Sequence, residues 1–312
     1  MHHMTRLLRI AVLLLSLVFI AVVLFSEWGK VRASVGAVRL DLLSISLVGM
    51  VIILFLDAYA WHLILRALGH RLPTNRSLQT WLVSSLARYI PGGVWSYASR
   101  VALAEAEGVS VTVASLSLYL ETLLLMTSSL AVGSTALLWG VGLPVHPLFA
   151  LVICVAGGLM LHPRVIALLR KLPGRIGRAL QAIQLPTPRH VLGLYVYYLL
   201  FWIVFGAVFV CFVSAIHGIA IEHWIPVGAA IALGFFVGFV IVVAPGGIGV
   251  RESALYLLLL PFLSAEASLL ASIGSRLWMM VAEAGALLLI LLYGRWRART
   301  NISSRIPQRR SE

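Results

Sequence analysis

Apolar residues in this chain run in long continuous blocks rather than alternating with polar ones. Such blocks fill about residues 8–26, 42–65, 111–139, 147–162, 191–216 and 267–293. Most have the ~20 residues that a helix needs to cross a ~30 Å hydrocarbon layer. Strands of a membrane barrel would read as alternating ~10-residue segments, which these blocks do not. Two further regions, about 77–107 and 224–263, are apolar but interrupted. The first contains Arg88-Tyr89-Ile90-Pro91-Gly92-Gly93-Val94-Trp95, and the second Ala244-Pro245-Gly246-Gly247-Ile248-Gly249-Val250-Arg251-Glu252. The pattern predicts an all-α polytopic membrane protein with about six full spans and two Pro-Gly-Gly segments that are broken or re-entrant. Residues 1–294 read as a single transmembrane domain and 295–312 as a basic cytoplasmic tail.

Composition agrees. Of 312 residues, 61% are hydrophobic and 11% charged, against roughly 25% charged in a soluble domain. This excludes an ordinary water-soluble enzyme, a disordered chain and, with two cysteines, a disulfide scaffold. The balance of 24 Lys+Arg against 11 Asp+Glu would suggest nucleic acid in a soluble protein. Here the excess gathers in the 163–190 loop and the tail, as cytoplasmic loops of membrane proteins do, and no nucleic-acid partner is expected. Cys154 and Cys211 sit inside apolar runs as small hydrophobes. The nine histidines are scattered without metal-ligand spacing, and no cofactor is implied. Segment 163–182 is basic and partly amphipathic, suited to anionic headgroups.

The first block, behind Arg6 and Arg9, is longer than a signal-peptide core and reads as an uncleaved span. The Asn301-Ile302-Ser303 sequon falls in the basic tail and reads as accidental. With both termini cytoplasmic in the cell membrane, the 163–190 loop is inside and Glu222 and His223 are outside. The parity holds if each broken region leaves and re-enters on one side, or if the second crosses twice. If 77–107 dips from the cytoplasm and 224–263 from outside, the two halves form an inverted repeat, a common transporter plan.

Proline has no N–H to continue a helix, and two glycines allow the chain to turn. Bare backbone at membrane depth is tolerated only under a cover of protein or water. Each break therefore reads either as a turn at the membrane surface or as one wall of an interior cavity. In the second case a helix N-terminus with Arg88, Arg100 or Arg251 beside it favours an anion such as phosphate. Glu121, Arg276 and Glu283 lie within full spans, where charge is costly and should face protein or water. Ser117, Glu121 and Ser128 share one helix face, as do Ser272, Arg276 and Glu283. These stripes read as a polar lining with a Glu121–Arg276 pair, or as buried pairing that fixes the packing. Asp57 reads either as part of that lining or, with Trp61 and His62, as interfacial. Tyr195, Tyr197, Tyr198 and Trp202 read as an aromatic belt or a packing surface.

At the two breaks the chain resembles the transmembrane flippase domain of lysylphosphatidylglycerol synthases. The residues that carry the likeness are Arg88 through Trp95, Arg100, Gly108-Val109-Ser110 and Glu121. In the second half they are Pro245 through Glu252, Ser264-Ala265-Glu266 and Arg276, and the likeness covers about 8–293. Many members place Arg directly after the glutamate matched by Glu121, where this chain has Thr122. Only the short tail follows the last span, so the soluble aminoacyl-transferase domain of bifunctional members is not expected.

The resemblance implies lipid handling. The leading expectation is a non-enzymatic flippase moving a phosphate-bearing lipid, either a phospholipid or a polyprenyl-linked or sugar-linked one, between leaflets. Its candidate binding residues are Arg88, Pro91, Gly92, Gly93, Arg100, Glu121, Pro245, Gly246, Gly247, Arg251, Glu252, Arg276 and Glu283. Its partners would be anionic or polyprenyl-phosphate-linked lipids, with a homo-oligomer or an envelope-lipid enzyme left open. The alternatives are an integral membrane transferase, with Glu121 or Glu252 as base, and a non-transporting scaffold for envelope lipid synthesis.

Overall fold

The structure, a computed structural model, describes residues 38–90, 94–137, 163–168, 181, 183–240 and 250–303. The predicted spans 8–26 and 147–162 lie outside these residues, as do Pro91, Gly92, Gly93, Pro245, Gly246 and Gly247. The described residues are helical, with no strand among them. In order they form α1 (Leu40–Ala67), α2 (Thr74–Ser85) with a 3-10 turn Leu86–Tyr89, α3 (Trp95–Ala106), α4 (Val111–Leu137), α5 (Pro163–Leu168) and α6 (Pro188–Ile216). A 3-10 turn Ile221–His223 then leads into α7 (Trp224–Val240), α8 (Val250–Leu259) and α9 (Ala265–Ser303).

Stretches long and apolar enough to cross a membrane are Leu40–Ala67, Val111–Ala136, Pro188–Ile216, Ile221–Val240 and Ala265–Gly294. Four were expected as full spans. The fifth is the outgoing arm of the second interrupted region, so that break leaves one arm at full length. The others are short: α2 and α3 have 12 residues each and α8 has 10. At 1.5 Å per residue these reach only about 15–18 Å, roughly half a bilayer core.

Side-chain contacts fix how the interrupted regions fold back. Arg76 at the start of α2 reaches Glu107 just past α3, with 3.4 Å between Nη1 and Oε1. Nearer the tip, Ser99 and Arg100 bond Ser84. The two arms are thus antiparallel, and the chain returns to the side it left. The second region does the same. The Gly238 position abuts Arg251, Gly234 abuts Leu255, and His223 meets Phe262 with ring centroids 5.4 Å apart.

The two hairpins enter from opposite faces. Antiparallel α1 and α6 supply the reference: Arg39 N–H bonds the Ala215 carbonyl at one end, and Tyr197 O–H bonds the Leu56 carbonyl farther along. The first hairpin follows the end of α1; the second follows the end of α6. Each half therefore reads long helix, hairpin, long helix, as α1–α2/α3–α4 and then α6–α7/α8–α9, with the direction reversed. This is the inverted arrangement.

Helix surfaces show the reverse of a soluble fold. Ile45, Val48, Ile52 and Tyr59 on α1 face outward, as do Leu192, Val196, Leu200 and Ile203 on α6. Their three- and four-residue spacing marks one apolar stripe per helix, suited to lipid. Inside, Tyr198, Phe201, Trp202, Phe205, Trp278, Phe209 and Phe212 form a continuous aromatic cluster of edge-on and stacked contacts. Tyr198 and Trp202 are thus a packing surface, not a belt at the headgroups. Where α6 crosses α7, a Cβ on Gly206 would stand 2.8 Å from the Gly228 carbonyl oxygen, so the crossing requires bare backbone there. Gly206→Leu is expected to cost about 1–3 kcal/mol by overpacking. Thermal unfolding in detergent should show it as a lowered transition, with Gly193→Leu, which meets nothing within 4 Å, close to wild type.

Candidate functional site

Both hairpins deliver charge to the middle of α9. Residues 276, 279 and 283 lie three and four apart and share one face of the Ala265–Gly294 span. From the first hairpin, Arg88 Nη1 lies 3.2 Å from Glu283 Oε1, and Tyr89 O–H donates to Glu283 Oε2 at 2.6 Å. Arg88 also donates to the Ser85 carbonyl at 2.8 Å, which anchors its stem. From the second, Arg276 Nη1 donates to Glu252 Oε1 at 2.7 Å. Arg251 Nη2 lies 2.9 Å from the Met279 sulfur and has no carboxylate partner among the described residues. Arg88, Arg276, Glu252 and Tyr89 all act on it electrostatically. Three guanidinium groups from the two hairpins and α9 thus gather around two carboxylates at mid-span. Arg88 keeps 36% of its side chain accessible, whereas Glu283 keeps 1%.

The close seating of Arg251 depends on Gly238. A Cβ there would fall 2.7 Å from the Arg251 Cβ and 3.3 Å from its Cα. Any larger residue must displace the first turn of α8.

A second set lies deeper, between α2, α3 and α4. Arg100 Nη1 and Glu121 Oε2 are 2.5 Å apart with both side chains buried, and Arg100 Nε donates to Ser84 Oγ at 3.0 Å. Trp81 Nε1 donates to the other Glu121 oxygen at 2.7 Å. The guanidinium stacks over Trp81 and Trp61, 4.9 and 5.8 Å from their ring centroids. Glu121 and Arg276 are therefore not partners. Each takes its counter-charge from the hairpin beside it.

The α4 stripe has one further use. Ser117, Glu121 and Ser128 each accept an indole N–H, from Trp61 at 2.9 Å, Trp81 at 2.7 Å and Trp202 at 3.1 Å. Three helices are thereby pinned to one face of α4. Asp57, Trp61 and His62 also turn inward instead of sitting at the interface. Trp61 is fully buried, His62 bonds Ser77 at 3.0 Å, and Asp57 Oδ1 is shut off from solvent. Helix α1 needs this inward polar face because α2 and α6 pack against it.

Sequence reasoning gave no role to Trp81 or Met279, and none in the site to Tyr89. Met279 was readable, since it falls between Arg276 and Glu283 on their shared face. Trp81 was not, because an indole at a buried helix contact leaves no spacing signature. A cavity of ≈ 1060 Å³ lies apart from the charges, between α4, α6 and α7 near Arg39 and His217. It holds none of the candidate site residues.

The family profile described as lysylphosphatidylglycerol synthase TM region matches residues 7–302. The chain belongs to the lysylphosphatidylglycerol synthase TM region family. The match covers both hairpins and, up to residue 302, the described helices, so the charge cluster is inside the shared domain. Membership ties this integral membrane protein to a membrane-lipid role. Comparison with curated proteins returns no match.

The buried Arg100–Glu121 pair yields a stability prediction. Arg100→Met alone strands the Glu121 carboxylate and should cost about 3–5 kcal/mol. Arg100→Met with Glu121→Gln should recover most of that, because the amide oxygen of the introduced glutamine still accepts the Trp81 N–H. Unfolding midpoints of the single and double variants in detergent check this.

Proposed function

We propose that the protein is a lipid translocase of the cell membrane that binds a phosphate-bearing headgroup between its two hairpins. One observation carries the reading. Arg251 stands half-buried against the middle of α9, in the first turn of α8, beside two more guanidiniums and, among the described residues, without a carboxylate partner. A buried cation without a counter-charge is costly, and a phosphate oxygen is a fitting partner for a guanidinium. The lipid-facing apolar stripes and the family membership support a lipid as the source of that phosphate.

The inverted hairpins support transport. A site reached by one hairpin from each face can be uncovered toward either leaflet by small movements of the hairpins against α9. The headgroup would exchange contacts among Arg251, Arg276 and Arg88, with its tails left in the bilayer. Arg66, Arg71 and Arg76 lie on the face from which the first hairpin enters, and Glu222 and Glu266 lie on the other. The positive-inside rule then makes the first face cytoplasmic. Pro91, Gly92, Gly93, Pro245, Gly246 and Gly247 would form the two tips. On this reading the protein is not an enzyme, and membrane lipids are its partners.

A second reading has an observation in its favour. Arg88–Glu283, Arg100–Glu121 and Arg276–Glu252 are closed pairs, as a non-transporting scaffold would have them. Reconstitution separates the two. Purified protein in liposomes should speed leaflet exchange of fluorescent phosphatidylglycerol or a polyprenyl phosphate. Arg251→Ala should lower that rate about tenfold or more, the loss expected for a charge-assisted hydrogen bond. Arg76→Ala, at the hairpin entrance, should stay close to wild type. Exchange no faster than in protein-free liposomes with either lipid would favour the scaffold.

A further inference from the structure

The charges at the two breaks form an even set. Asp57, Glu121, Glu252 and Glu283 stand against Arg88, Arg100, Arg251 and Arg276. Six of them close into three carboxylate–guanidinium pairs. The two left over, Asp57 and Arg251, do not meet. Asp57 Oδ1 is closed to solvent and accepts no hydrogen bond. The hydroxyl of Tyr198, fully buried on α6, likewise has no hydrogen-bond partner. The charged groups acting on Asp57 are Glu121 of α4, Arg100 of α3 and Arg88 of the 3-10 turn. On α6 it acts on Tyr197 and Tyr198. Helix α9 contributes Glu283, held by Arg88. Helix α2 contributes Arg76, held by Glu107 at the far end of the hairpin, and on α1 itself His62 is engaged with Ser77 and Thr74 and stacked on Tyr59.

Resting on the lipid-phosphate reading above, we propose that Asp57 takes up one proton when an anionic headgroup docks on Arg251, so that lipid and proton cross together. With the headgroup bound and every side chain ionised, the interior would carry one unmatched negative charge. Such a charge is costly in a medium of low dielectric. One new O–H bond on the Asp57 carboxylate, with the proton drawn from water on the loading side, removes it. Glu121, Glu252 and Glu283 each already face a guanidinium within 3.2 Å, whereas Asp57 has none among the described residues. A metal cation is a poor substitute for the proton. The described residues contain no cluster of three or more metal-binding side chains, and Arg88 and Arg100 repel a cation approaching Asp57.

Coupling of this kind is reciprocal. Where Asp57 is ionised in the free protein, headgroup affinity should rise about tenfold for each pH unit of acidification. The test uses the full chain in detergent with dihexanoyl phosphatidylglycerol, whose phosphodiester keeps one charge across neutral pH. In weak buffer with a pH-sensitive dye, wild type should take up about one proton per lipid bound. Asp57→Asn should take up none and bind with a pH-independent affinity, and Asp57→Glu should restore uptake. Lipid binding by wild type without proton uptake, or uptake that persists in Asp57→Asn, would overturn the coupling and leave the lipid reading standing. Absence of phosphatidylglycerol binding by wild type at any pH, together with absence of leaflet exchange, would remove both.

Discussion

A charge held inside a bilayer must be matched, and this protein meets that demand with segments too short to cross. The half-length α2, α3 and α8 bring Arg88, Arg100, Arg251 and Glu252 to mid-depth. Full spans supply most of the opposing charge, through Glu121 on α4 and through Arg276 and Glu283 on α9. Without the hairpins these spans would carry bare charge into hydrocarbon, at about 2.5–3.5 kcal/mol for a central Arg or Asp on insertion scales. Without the spans, the polar side chains of the short hairpin arms would meet lipid with no protein cover. Each set makes the other tolerable.

The two halves do this unequally. Around Arg100 and Glu121 the arrangement is closed: two buried partners, a serine, and two indoles that provide hydrogen bonding and stacking. That end behaves as a rigid post, further tied by the tryptophans that α4 pins. Around Arg251 the arrangement is open. The guanidinium rests against a thioether, a weak acceptor, and a neighbouring arginine is partly accessible. The two triplets look alike in sequence, yet the arginine that follows the first is closed by a carboxylate and the arginine that follows the second rests on a thioether. The same asymmetry separates the arms: 12 and 12 residues in one hairpin, 17 and 10 in the other.

Much of this was legible beforehand. Long apolar runs located α1, α4, α6 and α9, because in lipid a helix is nearly the only way to satisfy a backbone. The Pro-Gly-Gly triplets located both hairpins, and basic loops gave the parity that opposite entry requires. Partner choice was not legible. Helical spacing placed Glu121 and Arg276 on polar faces, but it could not show that Arg100 and Glu252 would claim them. Asp57 was open between an interface and the polar lining, and its buried Oδ1 favours the lining. Its distance from the end of α1 suggested an interface, yet α1 extends to Ala67 and is covered there by α2.

The central claim is that segments entering from opposite faces meet on α9 at mid-membrane. Thiol cross-linking in the native bilayer tests it most directly. In a background lacking Cys154 and Cys211, paired cysteines at Arg88 and Glu283, and separately at Arg251 and Met279, should be joined by a short bifunctional reagent and recovered as linked peptides. Cysteines at Arg88 and lipid-facing Leu269 should not be joined. Failure of both predicted pairs to link, or equal linking of Arg88 to position 269, would contradict the account.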